Sequence, residues 1–141
     1  MNLKPLRMKS VVLAGCAVCF ALAAAGVAYA ASNHGISGTV YSGCDGTWYT
    51  STTERFKTGT GPIKAEFSYI NDGGLTFRLL TASGTQIGSQ QSWTRSETGI
   101  WRTFTSSYAG GRGFYNSFRD TDESCPDFDQ SNYNFAGTEN Y

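Results

Sequence analysis

Between Ile63 and Leu80, apolar and polar residues change places at nearly every position, and no stretch after residue 30 repeats apolar residues at helical spacing. Ile63, Ala65, Phe67 and Tyr69 alternate with Lys64, Glu66 and Ser68, and Leu75, Phe77 and Leu79 alternate with Thr76 and Arg78. A period of two belongs to strands that bury one face. Asn71-Asp72-Gly73-Gly74 separates the two runs and reads as a hairpin turn. A two-residue Asp72-Gly73 turn would set Ser68 against Phe77 and mix the faces. A three-residue Asn71-Asp72-Gly73 loop sets Phe67 opposite Phe77 and Tyr69 opposite Leu75. Because a slip of one residue turns every side chain over, the three-residue loop is the expected one, with Gly73 in the left-handed conformation.

Further strands are expected near 36–42, 46–51, 53–58, 85–93, 99–106, 113–119 and 132–136. Turns are expected at Ala82-Ser83-Gly84 and Ala109-Gly110-Gly111. In 113–119, Phe114, Asn116 and Phe118 share one face, while Tyr115, Ser117 and Arg119 share the other. Phe67, Phe77, Phe104, Phe114 and Phe118 are the expected core rings. Seven to nine short strands define an all-β fold, an antiparallel two-sheet β-sandwich of jelly-roll or Ig-like connectivity. Residues 31–35 read as a polar arm, and residues 131–141 as an edge strand or a loose end.

The first 30 residues lie outside this pattern. Lys4, Arg7 and Lys9 precede an apolar run from Val11 to Val27 that closes on Ala28-Tyr29-Ala30. Basic head, apolar run and small-residue exit together are expected to be a cleaved secretory signal peptide, 1–30; a membrane anchor is the alternative. Leu13-Ala14-Gly15-Cys16 has the look of a lipobox, but most of the apolar run follows the cysteine instead of preceding it. Residues 31–141 then form a single domain, long enough to bury roughly two thirds of its unfolded surface. The expected location is outside the cell.

Charge narrows the partners. Without Lys4, Arg7 and Lys9, eight of the eleven basic residues remain against eleven acidic ones. A net negative chain lacks the basic surface that nucleic acid or anionic lipid would require. Cys44 and Cys125 remain after export, so a disulfide is expected between them, worth roughly 4 kcal/mol for a loop of about 80 residues.

The residue types also speak to chemistry. His34 is the only histidine and sits in the polar arm, which is poorly placed for a Ser-His-Asp relay. With both thiols oxidised, no thiol nucleophile remains. A non-catalytic protein without a cofactor is therefore expected. Asp120, Asp122, Glu123, Asp127 and Asp129 cluster around Cys125 and form a weak calcium candidate, although their spacing matches no EF-hand loop. The plain alternative is a solvated acidic loop. Aromatic residues exceed what one core needs, and aromatic rings dominate binding surfaces. The candidate binding residues are Trp48, Tyr49, Trp101, Tyr115, Arg119 beside it, and His34 in a strand-like peg.

Gly46-Thr47-Trp48, Gly99-Ile100-Trp101 and Phe114-Tyr115-Asn116-Ser117-Phe118 give residues 46–118 a resemblance to bacteriocins of the lactococcin 972 type, among small secreted β-sandwich proteins of Gram-positive bacteria. Size, export and sandwich character also resemble the small adaptor subunits of secreted toxin particles. The first resemblance implies an antibacterial protein acting outside the cell. Three functions are expected, in order: a protein-interaction module or subunit of an extracellular assembly, a carbohydrate-binding module stacking Trp and Tyr on a polysaccharide, and a small toxin or protease inhibitor.

Overall fold

A computed structural model describes residues 31–40, 47–121 and 132–141. The described residues form eight strands: β1 (Asn33–Val40), β2 (Tyr49–Lys57), β3 (Gly61–Ile70), β4 (Gly74–Leu80), β5 (Gln86–Thr94), β6 (Arg102–Tyr108), β7 (Arg112–Asp120) and β8 (Tyr133–Asn140). One 3-10 turn, Arg95–Glu97, lies between β5 and β6. Two antiparallel four-stranded sheets pack face to face, ordered β1-β8-β3-β6 and β2-β7-β4-β5. Of the two connectivities expected from the sequence, this strand order is that of a jelly roll.

The hairpin expected over 63–80 does not form. β3 lies in the first sheet between β8 and β6, while β4 lies in the second between β7 and β5. The Asn71–Gly73 segment is instead a corner that carries the chain from one layer to the other. Phe67 and Phe77 do meet, with ring centroids 5.5 Å apart, but across the core and not along a ladder. Alternation fixes which side of a strand faces inward; it is silent on which strand lies alongside. Gly73 has the expected left-handed backbone, φ 61°. The Asp72 carboxylate accepts the Gly73 amide at 2.9 Å, and Thr121 donates its amide to the Gly74 carbonyl at 2.9 Å.

Three further expectations change. The polar arm is part of β1, paired residue for residue with β8 from Asn33 opposite Asn140 to Val40 opposite Tyr133. The C-terminal stretch is neither an edge nor loose, because β8 is held between β1 and β3. Its alternation of Tyr133, Phe135 and Glu139 inward is masked by small residues at Ala136 and Gly137, which weakens the sequence signal. Residues 46–51 and 53–58, expected as separate strands, contribute to the single interrupted strand β2.

The core is aromatic. Phe67, Phe77, Trp93, Phe104, Phe114 and Phe135 are buried, with Phe118 packed partly buried against them. Trp93 meets Phe67 edge to face at 4.8 Å and donates its indole N–H to the Ile100 carbonyl at 2.8 Å. No helix among the described residues is long and apolar enough to cross a membrane.

Candidate functional site: a cleft in the open seam

The two long edges of the sandwich differ. On one side β5 and β6 close the layers together. Gln91 Nε2 donates to the Thr103 carbonyl at 3.1 Å. Gly88, at φ 63°, lies so near the Phe104 carbonyl that an added Cβ would fall 1.9 Å from its oxygen. On the other side β1 and β2 are the edge strands, and a cleft of about 320 Å³ opens between the layers. That volume lies near the lower end of ligand clefts, ~300–1,000 Å³.

A bulge shapes one wall. Thr50 pairs with Ser117 and Glu54 with Tyr115, so Ser51, Thr52 and Thr53 stand opposite the single residue Asn116. Bulges bend a strand and re-aim its side chains. Here Thr50, Ser51 and Thr52 face the cleft from β2, with Ser37 from β1. Phe77, Phe118 and Phe135 also line it. Gly38 allows those rings beneath β1, since a Cβ there would sit 2.8 Å from Phe135 and 3.3 Å from Phe118.

Arg55 and Asn116 supply the polar end of the cleft. Arg55 pairs in register with the inward-facing Phe114 and donates from Nη2 to the Gly35 carbonyl at 3.2 Å, tying β2 to β1. Burial raises the pKa of the neighbouring Tyr141, against the opposing influence of Arg55. Behind it lies Glu139, fully buried, with Oε2 accepting from Asn116 Nδ2 at 2.9 Å and lying 3.8 Å from Arg55 Nε. Burial pushes the Glu139 carboxyl up to about 7, against the opposing effects of the Asn116 hydrogen bond and the Arg55 charge. Glu139 Oε1 and Asn116 Oδ1 have no hydrogen-bond partner in the described structure. His34 stacks on Tyr141 at 4.2 Å, and Tyr141 meets Phe114 edge to face at 5.0 Å, closing this end of the interior.

The residues expected to bind are dispersed. Trp48 lies over two outward-facing guanidiniums of the β2-β7-β4-β5 sheet, 3.8 Å from Arg78 and 4.9 Å from Arg119. Burial, then the charge of Arg119, lowers the pKa of Arg78. Tyr115 projects from the same face of β7 as Arg119 and is half-buried. Tyr49 stacks on Phe118 at 6.3 Å, next to the cleft. Trp101 is exposed at the start of β6 beside exposed Ile100, with Lys64 Nζ 5.4 Å from its ring centre. Thus Trp48, Tyr115 and Arg119 share one face, while Trp101 and His34 lie elsewhere. His34 is a residue of β1, opposite Glu139 of β8.

Of the acidic cluster, Asp120 is described and sits at the end of β7, 3.2 Å from the Tyr133 hydroxyl. Asp122, Glu123, Asp127, Asp129, Cys44 and Cys125 lie outside the described residues. Among the described residues, no three His, Cys, Asp or Glu side chains converge. Arg55, Glu139 and Tyr141 were not anticipated. One signal pointed to their partner: Asn116 shares an inward face with Phe114 and Phe118, and a polar residue on an apolar face needs partners of its own.

In comparisons with known proteins, no family model matches the chain and no curated protein is significantly similar to it.

Proposed function

We propose that this chain is an exported, non-catalytic binding module that holds part of a carbohydrate in the seam between β1 and β2. The cleft itself carries this reading. It sets a row of hydroxyls from Ser37, Thr50, Ser51 and Thr52 above aromatic rings, with Arg55 and Asn116 at one end. Hydroxyls both donate and accept, which matches the mixed hydrogen bonding of a sugar, and aromatic rings suit its C–H faces. The site is thus a concavity, away from the exposed Trp and Tyr side chains.

Cys44 and Cys125 fit the same export. The segments that contain them leave from neighbouring positions, because Val40 pairs with Tyr133 and Trp48 lies over Arg119. A disulfide there would tie the segment that follows β1 to the segment that follows β7.

Retention on a panel of polysaccharides tests the reading. Thr52 is exposed in the β2 bulge, so Thr52→Trp can fill the cleft without entering the core. Loss of retention in T52W, with retention kept in Trp101→Ala, is the expected result. The reverse pattern would move the site to the Trp101 surface. Exposed Ile100 and Trp101 side by side favour a second reading, in which that patch contacts a protein partner. Capture of one stoichiometric protein, abolished by W101A, would support it.

A further inference from the structure

We propose that the seam cleft takes an acidic sugar, whose anionic group pairs with Arg55 while Glu139 turns to Asn116. This rests on the carbohydrate reading above and names the class of ligand within it.

Arg55 is placed between two claims. Arg55 lines the cleft, and its Nε lies 3.8 Å from Glu139 Oε2, beyond a hydrogen bond. One nitrogen serves the Gly35 carbonyl, and Tyr141 is a neighbour. A guanidinium has five N–H donors in a flat fork that suits a carboxylate held side-on. Ser51 and Thr52 hydroxyls stand on the same strand, ready for the ring.

Glu139 can release Arg55 because a second partner is already in place. Asn116 Nδ2 donates to Glu139 Oε2, and the two atoms left over are Glu139 Oε1 and Asn116 Oδ1. Two acceptors cannot satisfy each other. Once Glu139 carries a proton on Oε1, it becomes a donor to Asn116 Oδ1, and one proton satisfies both buried atoms. Arg55 is then left without its internal counter-charge and takes the ligand's. Other residues also surround Glu139. His34 lies opposite it on β1 and Ala65 on β3, and Tyr141 follows it two residues on. A carboxyl poised at about 7 needs little to gain the proton at neutral pH.

Methyl β-glucuronide and methyl β-glucoside share one ring and differ at the carboxylate, which makes them matched probes, with inorganic phosphate as a bare anion. Each is titrated into the whole protein at pH 6 and pH 8, following the backbone amide signals of Ser37 and Thr50–Thr52 by NMR. Glucuronide is expected to bind at least tenfold more tightly than glucoside, and about tenfold more tightly at pH 6 than at pH 8, since binding takes up one proton. Arg55→Gln should remove the preference for glucuronide. Glu139→Gln, which keeps the buried pair with Asn116, should bind alike at both pH values. Equal binding of glucuronide and glucoside would overturn the acidic-sugar proposal and leave the carbohydrate reading standing. Binding of phosphate alone would uphold the Arg55 pairing and overturn the sugar. Silence from all three would overturn both.

Discussion

Asn116 of β7 hands an amide hydrogen to Glu139 of β8 across 2.9 Å, so a polar bond joins the two sheets inside an aromatic core. A carboxyl in that position is neutral when the fold is most comfortable, and the cost of ionising it falls on the folded state alone.

Stability should therefore depend on pH in an unusual direction. The folded Glu139 holds its proton until about 7, against 4.5 for an unperturbed group. Between those values the unfolded chain has already lost the proton, so unfolding becomes easier as pH rises. The difference corresponds to ~3 kcal/mol, fully present below pH 4.5 and gone above pH 7. Urea unfolding at pH 4.5 and 7.5 measures it, and Glu139→Gln is expected to flatten this contribution.

Asn116→Ala removes both the amide that donates to the Glu139 carboxylate and the acceptor open to its proton, so the titration midpoint of that carboxyl should move from its value in the parent chain. The carboxylate signal of selectively labelled glutamate, followed by NMR, reports the midpoint. Loss of the buried partner should also cost about 1–3 kcal/mol.

Two of the three tryptophans should separate cleanly. Trp93 is fully buried against Phe67 and Phe104, and Trp93→Ala is expected to cost about 3–5 kcal/mol. Trp101 is exposed, and Trp101→Ala should stay within about 0.5 kcal/mol of the parent. Denaturant midpoints for the two variants check both values.

Gly38→Ala tests the roof of the cleft. The added methyl meets the Phe135 ring at 2.8 Å, and that ring already packs edge to face on Phe67 and Phe118. A loss of about 1–3 kcal/mol in unfolding free energy is expected. Solvent access to the cleft should fall with it, read as slower exchange of the Thr50–Thr52 hydroxyl protons.

The layered architecture was legible because alternation survives wherever one face is buried: Phe67, Phe77, Phe104 and Phe114 all point inward as their spacing required. Pairing was not legible. Nothing in the Ile63–Leu80 pattern distinguishes a hairpin from a corner, since both put the same side chains in the core. The seam escaped notice for a related reason. β2 reads Tyr-Thr-Ser-Thr-Thr-Glu-Arg-Phe-Lys, and a bulge breaks its period, so Arg55 looks like one more surface charge. Glu139 likewise sits among Gly, Thr and Asn, where its inward parity with Phe135 is hard to see.

The strand that comes last in the sequence is also the one that completes the first sheet. A nascent chain interrupted before Tyr133 has no partner for the inner edge of β1 or for one side of β3. Docking of that sheet is therefore a late event that spans almost the whole polypeptide, which makes folding slow by its topology.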